Sequence, residues 1–293
     1  LFTLKLLFIL FFKMSKLDLK YLLSKEYTIQ QLAKLAHLSI SNCQIETIDA
    51  KTFENCQNLT KLDASHNKLT IINDSTFKIL TKLYELLLNN NKIEIIDERA
   101  SEECSNLREI DLSSNKLTRI YVDTFNHLEK LIKLNLANNQ IEEIDSKAFG
   151  YCINLTKLDL SENRLIKIGW STFKKLVKLE VLWLSNNQIE VIDEKVFENN
   201  PNLGELDLSN NRLKIIDGFT FRYLTKLTKI YLSDNKIETL DVKLFEDMFN
   251  LVVIDLSNNY LTRIDGNTFK QQTRLLKLNL SNNKIEKIDE NSF

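Results

Sequence analysis

The sequence has one proline and five glycines in 293 residues, so it has few of the residues that mark turns and flexible linkers. With 43% hydrophobic residues it does not belong to the disordered class. It also lacks an excess of one charge, since 39 basic and 40 acidic residues leave a formal net charge of −1. Nucleic-acid-binding domains carry a basic face, so this balance predicts no nucleic-acid partner.

The patterns of enzyme and metal sites are missing as well. The three histidines do not have the spacing of zinc proteases, and no cysteine pair has zinc-ligand spacing. There is no G-x-S-x-G motif, no glycine-rich phosphate loop and no kinase motif. The sequence therefore predicts a chain that is not an enzyme and that holds no cofactor and no metal.

The sequence does contain a regular repeat, whose period is the interval from Asn163 to Asn187. Steps of this interval in both directions, with no insertion or deletion, reach asparagine at ten of eleven positions, and Cys43 occupies the eleventh. A fixed period of this length predicts a solenoid, in which each coil packs on its neighbours. The repeated asparagines are Asn67, Asn91, Asn115, Asn139, Asn163, Asn187, Asn211, Asn235, Asn259 and Asn283.

Each unit reads L-x-x-L-x-L-x-x-N-x-L and then I-x-x-x-x-F-x-x-L-x-x-L, as from Leu155 to Leu179. These motifs resemble the leucine-rich repeat family, and the second half resembles its 24-residue "typical" subclass. The resemblance covers about residues 28–293, with about eleven repeats of which the last is incomplete. It implies an α/β fold: a curved right-handed solenoid with a parallel β-sheet on the concave face and turns and short 3₁₀ segments on the convex face. That subclass occurs mostly in extracellular and cell-surface proteins.

Elementary physical chemistry predicts the same coil. The alternation at Leu158, Asp159 and Leu160 is typical of a short strand with one side turned inward. Because every coil runs the same way, successive strands must pair in parallel. After the strand the chain turns while buried, and an inward asparagine amide offers donors and acceptors to the backbone groups there. We therefore expect an asparagine ladder that runs from coil to coil.

A second period, twice as long, lies inside the first. Alternate coils, here called glutamate coils, carry Glu46, Glu94, Glu142, Glu190, Glu238 and Glu286. Cys56, Cys104 and Cys152 also recur in every second coil. Two coils place them ~10 Å apart, beyond the ~7 Å Cα limit for a disulfide, so they are predicted to be buried and unpaired.

One position breaks the pattern of the predicted convex wall. Ser101 stands where the other ten units have phenylalanine. A missing phenylalanine in a packed wall costs on the order of 3 kcal/mol unless neighbours fill the space. The coil from Leu83 to Asn106 is therefore predicted to be the weakest.

The chain ends carry their own expectations. Residues 1–13, LFTLKLLFILFFK, are apolar enough for a cleaved secretory signal, whereas a start at Met14 would leave an intracellular, cytoplasmic scaffold or adaptor. Residues 14–27 are either an irregular cap or part of the leader. The chain stops at Phe293 within a coil, so a membrane anchor or a further domain is expected beyond it, and the chain is then the sensor domain of a larger receptor. Residues 14–293 contain no segment for direct membrane insertion.

The predicted concave face offers the candidate ligand site. Trp183 and Tyr231 are large aromatics at exposed strand positions, and such residues anchor protein interfaces. Aromatics also simply suit strands, and the recurring aspartates also fit a solvated acidic stripe. The resemblance implies a protein or glycan ligand, in adhesion, development or innate immune recognition. The patch is completed by Val181, Asp207, Val253, Asp255 and, further along the face, Leu87.

Four N-x-S/T sequons mark candidate glycosylation sites, which are Asn58, Asn73, Asn154 and Asn279. Asn58 and Asn154 share one repeat position before a strand and are the better candidates. A glycan on Asn279 would block part of the concave face.

We expect the chain to be exported. Expressed with its own N-terminus in a eukaryotic secretory host, it should reach the medium, trimmed near residue 13 and carrying glycan on Asn58 or Asn154. Intact mass before and after glycosidase treatment measures both changes. An unglycosylated product held in the cytosol would contradict the expectation and favour the start at Met14.

Overall fold

The structure is a computed structural model and describes residues 3–5, 28–49 and 51–292. The predicted cap at residues 14–27, most of the predicted leader and Phe293 lie outside the described residues. The chain forms two compact units, Leu1–Ile153 and Asn154–Phe293. Both units consist of the same repeated coil.

Short strands dominate both units, as the sequence predicts. The first unit contains β1 (Thr3–Lys5), α1 (Ile29–Leu32), β2 (His37–Ser39), β3 (Lys61–Asp63), β4 (Ile71–Ile72), β5 (Glu85–Leu87), β6 (Ile95–Ile96), β7 (Glu109–Asp111), β8 (Arg119–Ile120), β9 (Lys133–Asn135) and β10 (Glu143–Ile144). The second unit contains β11 (Lys157–Asp159), β12 (Lys167–Ile168), β13 (Val181–Trp183), β14 (Val191–Ile192), β15 (Glu205–Asp207), β16 (Lys229–Tyr231), β17 (Val253–Asp255), β18 (Arg263–Ile264), β19 (Lys277–Asn279) and β20 (Lys287–Ile288).

The three-residue strands form the main sheet of each unit. Its order is β1-β2-β3-β5-β7-β9 in the first unit and β11-β13-β15-β16-β17-β19 in the second. From β2 onward, neighbouring strands pair in parallel with residues one period apart in register, as Leu206 does with Ile230. The middle residue of these strands faces the core, and its two neighbours form what we call the open face, the face that the sequence predicts to be concave.

The two-residue strands form a second set of parallel pairs on the opposite wall. They pair as β4 with β6, β8 with β10, β12 with β14, and β18 with β20. Each pair joins one coil to the glutamate coil that follows it, so the two-coil sequence period is also a structural period. No such pair forms around Glu238, whose N–H lies 3.5 Å from the Lys214 carbonyl, against 2.9 Å between Glu190 and Ile166. Sequence reasoning predicted only turns here and did not predict these strands.

The remaining back-wall segments are turns closed by i→i+3 hydrogen bonds, the bond pattern of a single 3₁₀ turn. An example is the Leu59 N–H, which donates to the Cys56 carbonyl at 3.1 Å. Helix α1 replaces such a turn before β2, and a reciprocal capping box between Thr28 and Gln31 starts it. The long wall helices of other solenoids are therefore not found in the described residues.

The asparagine at the end of each strand bonds to two coils at once. The Asn211 Nδ2 donates to the Leu184 carbonyl of the preceding coil at 3.0 Å and to the Leu208 carbonyl of its own coil at 3.1 Å. Its Oδ1 accepts the Ile189 N–H at 3.0 Å. Nine of the ten asparagines are buried, and Asn283 is half-buried. Each amide thus pairs backbone groups that the turn would otherwise bury alone.

The residue before each of these asparagines adopts a left-handed backbone conformation. Its φ runs from 52° at Asn210 to 57° at Asn90. Asparagine tolerates this region better than most non-glycine residues, which explains the recurring Asn-Asn pair in a sequence so poor in glycine. Glu162 and Ser114 hold the same conformation with less suitable side chains.

The cysteines are free and buried, as predicted. Burial raises the pKa of the Cys104 thiol to about 12. Its Sγ donates weakly to the Phe77 and Leu80 carbonyls of the preceding coil. At the same repeat position, Asn200 donates its amide to the equivalent carbonyls of Phe173 and Leu176. In the coils of Cys104 and Asn200 this position therefore holds a small buried donor, whereas neighbouring coils carry leucine there, as at Leu80 and Leu176. Sequence reasoning treated the position only as apolar.

Phenylalanines from successive coils stack along the wall, as do Phe173 and Phe197 with ring centroids 6.3 Å apart. Ser101 interrupts this stack between Phe77 and Phe125. A cavity of about 30 Å³ lies there, and Ser101, Cys104 and both phenylalanines are among the residues that line it. Most of its lining is apolar, and the Ser101 hydroxyl has only a long hydrogen bond, to the Asn126 carbonyl at 3.5 Å. The defect lies in the coil that the sequence predicts to be the weakest.

Ser101→Phe should fill this cavity and raise the free energy of unfolding of the coil by about 0.5 to 2 kcal/mol. Hydrogen exchange of the amides between Leu83 and Asn106 measures the effect where it occurs. Ser101→Ala is the matched control, because it removes the same hydroxyl and fills nothing. Faster exchange in Ser101→Phe than in Ser101→Ala would show that the wall there is closed to a larger side chain.

Candidate functional site

The predicted ligand-binding residues of the second unit lie on its open face in two parallel rows. The strand register places Val181, Glu205, Lys229 and Val253 in one row. The second row is Trp183, Asp207, Tyr231 and Asp255. All of these side chains are half-buried. Trp183 and Tyr231 are two strands apart, which corresponds to ~10 Å, with Asp207 between them.

Trp183 is fixed from both sides by long side chains of the neighbouring strands. Lys157 Nζ lies 3.8 Å from the centre of its ring, a cation–π contact. On the other side, its Nε1 donates to Glu205 Oε1 at 2.9 Å. Lys229 Nζ donates to the second oxygen of Glu205 at 3.0 Å. The indole is therefore held in one orientation before any ligand arrives.

The charge of Glu205 is part of this arrangement. Burial alone would raise the pKa of Glu205, but hydrogen bonds from Trp183 and Lys229 outweigh it and hold the pKa below its usual range. The carboxylate therefore stays ionised at neutral pH and keeps accepting from the indole. The Lys229 ammonium beside it has its pKa raised by the same hydrogen bond.

The two predicted aspartates have a structural task that sequence reasoning missed. Asp207 Oδ1 accepts the Ser209 N–H at 2.9 Å and the Ser209 hydroxyl at 2.6 Å, which closes the turn after β15. Asp255 and Ser257 repeat this contact. Despite burial, these hydrogen bonds and one from Asn279 lower the pKa of Asp255. The Asp-x-Ser spacing, repeated in every second coil, was the signal that could have shown this.

The remaining predicted residues fall into two groups. Val181 and Val253 lie at the two ends of the charged row, next to Glu205 and Lys229 respectively. Leu87 lies in the other unit, on β5, with Asp63 and Asp111 as its register partners. It is therefore not part of the Trp183 and Tyr231 patch. Lys157, which the sequence analysis did not select, belongs to the patch through its contact with Trp183.

The sequon asparagines have polar contacts of their own. Asn58 Nδ2 donates to the Ala33 carbonyl at 2.7 Å, and Lys82 Nζ donates to Asn58 Oδ1 at 2.6 Å. Asn154 accepts from Lys178 in the same way. Asn73 is exposed on the back wall, and Asn279 lies on the open face, where its Nδ2 donates to Asp255. Glycosylation at these positions stays a prediction.

The described residues contain no group of three or more metal-ligating side chains able to hold a metal ion. Within the same residues, no helix is long and apolar enough to cross a membrane. The open face offers instead a rigid aromatic ring, a second ring and ordered charges, which is the chemistry of a binding surface.

The repeat also matches known family models. A model described as a BspA type leucine rich repeat region matches residues 72–204, 118–242 and 190–293. The chain belongs to the leucine-rich repeat family. A second leucine rich repeat model matches residues 33–93. The predicted family and solenoid fold are thereby confirmed.

Solved leucine-rich repeat structures resemble the chain over most of its length. A crystal structure of TLR13 in complex with ssRNA13 is 30% identical, with a TM-score of 0.81 over 87% of this chain and 38% of that one. Toll in its complex with Spätzle, from Drosophila, is 25% identical, with a TM-score of 0.73 over 89% of this chain and 37% of that one. An internalin of Listeria monocytogenes is 24% identical, with a TM-score of 0.71 over 91% and 74% of the two chains. The chain thus spans less than half the length of TLR13 and of Toll.

The search of curated protein sequences gave no match. The family membership of this leucine-rich repeat chain therefore rests on the two family models and on the solved structures.

The environment of Trp183 should respond to acid only below the ordinary glutamate range. A lowered pKa means that the Glu205 carboxylate persists as pH falls through the unperturbed value of about 4.3, and the bond to the indole is lost below it. Trp183 emission in a Trp170→Phe background, where it is the one remaining tryptophan, follows this step.

Glu205→Gln in the same background should abolish the step, because the amide does not titrate. In a Trp183→Phe background, emission from Trp170, which packs on Lys174, serves as the control. A step with its midpoint above the ordinary glutamate pKa would contradict the described contacts.

Proposed function

We propose that the chain is a non-enzymatic recognition module that binds a protein ligand on the open face of its second unit. The observation that carries the proposal is the fixed indole of Trp183, held between Lys157 and Glu205. A side chain that is already ordered loses little conformational entropy on binding, so more of its contact energy contributes to affinity.

The arrangement around Trp183 fits a protein partner. Tyr231 lies in the same row, and aromatic anchors of this type carry most of the energy of protein interfaces. Val181 and Val253 add apolar area, and Glu205 and Lys229 form an ion pair at 3.0 Å between them. An aromatic and apolar centre with paired charges is the usual composition of a specific interface. A glycan ligand was the other expectation, and the rings alone are compatible with it.

The solved relatives support a ligand-binding role in general. Toll is seen in complex with Spätzle, and TLR13 in complex with an RNA. A protein is the better partner for this chain, because its formal net charge is −1 and the open face of the second unit carries carboxylates beside its lysines. The part of this proposal that concerns adhesion, development or innate immune recognition rests on the resemblance alone.

We also propose an extracellular or cell-surface location, on the likeness to Toll and TLR13 and on the apolar residues 1–13. The cytoplasmic scaffold starting at Met14 is the alternative, and the export experiment above separates the two. A role as the sensor domain of a larger receptor is consistent with the 38% of TLR13 that the chain covers.

The double change Trp183→Ala and Tyr231→Ala should weaken the binding of the native partner by more than ~2 kcal/mol, about 30-fold in Kd. Tagged chain recovers the partner from the organism that expresses it, and titration of the purified pair gives Kd. The matched control is Trp170→Ala with Tyr260→Ala, since both rings are also half-exposed and each lies under a lysine, but neither lies in a strand of the sheet.

A partner whose affinity falls in the sheet variant and not in the control supports the proposal. Equal affinity of wild type and sheet variant would remove the open face of the second unit as the site.

A further inference from the structure

The first unit carries a cleft of about 840 Å³ that no part of the proposed function uses. It lies where the chain enters strands β2, β3 and β5, and we call it the edge cleft. Its characteristic lining residues are Lys61, Lys82, Tyr84, Arg108 and Lys130. We propose that the edge cleft binds a linear anionic polysaccharide, with Lys82, Arg108 and Lys130 contacting its anionic groups and Tyr84 packing against a sugar ring.

The side chains that line the edge cleft carry a net positive charge. Its lining contains Lys61, Lys82, Arg108 and Lys130, against the carboxylates of Asp63 and Glu85. Glu85 accepts from Lys61 at 2.6 Å, so this pair neutralises itself. Asp63 already accepts from hydroxyls of Ser39 and Ser65. These neutral hydroxyls do not remove the Asp63 charge, so four cations against two carboxylates leave the edge cleft with a formal charge of +2 for a ligand.

The partners of Lys82, Arg108 and Lys130 are neutral within the described part of the chain. Lys82 Nζ donates to Asn58 Oδ1 at 2.6 Å, and Lys130 Nζ donates to Asn106 Oδ1 at 2.7 Å. The Arg108 guanidinium lies over the Tyr84 ring at 5.4 Å from its centre. These contacts hold each cation in place and leave its charge uncompensated. Lysine is a compact point charge that suits sulfate or carboxylate groups, and arginine can add a bidentate contact.

The spacing of the cations favours a polymer with a regular charge. Lys82 and Lys130 occupy the same repeat position two coils apart, which corresponds to ~10 Å along the edge, and Arg108 belongs to the coil between them. A linear polysaccharide presents its anionic groups at regular intervals of a similar order. The Asn106 amide beside Lys130 adds a neutral hydrogen-bonding group of the kind that sugar hydroxyls contact.

Other polyanions fit the edge cleft less well. Single-stranded nucleic acid stacks successive bases on several aromatic rings, whereas the described residues that line the cleft offer one tyrosine, Tyr84, and one imidazole, His37. An extended acidic peptide would need a free strand edge, but β3 pairs on both sides, with β2 and β5. Tyr84 is 47% exposed, which leaves one face available for a single sugar ring.

The test measures binding of a heparin decasaccharide to the full chain at several salt concentrations. Lys82→Gln with Lys130→Gln should lower the affinity about fourfold, since exposed ion pairs contribute roughly twofold each. Adding Arg108→Gln should bring the loss to about eightfold, and the affinity of wild type should fall as salt rises. Tyr84→Ala should weaken binding of the decasaccharide and leave binding of a poly-glutamate of equal charge unchanged.

The second unit provides the matched control. Lys178 and Lys226 also donate to neutral asparagines of the preceding coil, but Glu180 and Gly204 stand where the edge cleft has Tyr84 and Arg108. Lys178→Gln with Lys226→Gln changes the net charge equally and should leave the affinity unchanged. Glutamine keeps a donor for each asparagine, so both double variants should fold.

Three results would overturn the proposal. No binding of the decasaccharide at physiological salt would remove the site. An equal loss in the two double variants would show a diffuse charge effect of the whole edge. Tighter binding of poly-glutamate or of a single-stranded RNA of equal charge would assign the edge cleft to a peptide or to nucleic acid. None of these outcomes bears on Trp183 and Tyr231, which belong to the other unit.

Discussion

The structure depends on how the chain satisfies the backbone groups of a turn that it buries once in every coil. The amide of an inward asparagine does this, because one side chain donates to carbonyls of two coils and accepts an N–H from the preceding one, as Asn211 shows. Unpaired groups in that position would each cost about 1 to 3 kcal/mol. The asparagine side chain has a fixed length, so every coil must present the same backbone groups at the same distance from it. This requirement explains why the repeat period is constant and contains no insertion.

The division between scaffold and surface also comes from this constraint. The ladder asparagines and the middle residue of each strand point inward and are constrained by packing. The first and third residues of each strand face outward and are free to vary. The structure shows that even these positions are shared, since Asp207 and Asp255 close turns through Ser209 and Ser257. The positions without such a partner carry the rings of Trp183 and Tyr231. The two rings thus alternate with turn-closing aspartates along one row.

Sequence reasoning reached the fold, the strand positions and the phenylalanine gap at Ser101, because each of these depends on what recurs at one repeat position. It did not reach contacts between different positions of neighbouring coils. Two examples are the cation–π contact of Lys157 with Trp183 and the hydrogen bond from Lys82 to Asn58. Both contacts depend on the length of the lysine side chain and on the offset between neighbouring coils. The back-wall strands were missed for a related reason, since two-residue pairing depends on how closely two backbones approach. The glutamate coils accompany this pairing, but the coil of Glu238 lacks it, so the residue type alone does not determine it.

The back-wall pairs have a consequence for how such a chain changes length. Strand β12 pairs with β14, and β18 pairs with β20. At the back wall these strands therefore pair within a block of two coils. Unequal recombination that removes or adds one block keeps every partner, whereas a shift by a single coil brings two coils of the same kind together. Length variants in steps of two coils therefore keep the back-wall pairing of each block that has it, which the block around Glu238 does not. The number of coils, and with it the extent of the surface, is open to selection without redesign of the interior.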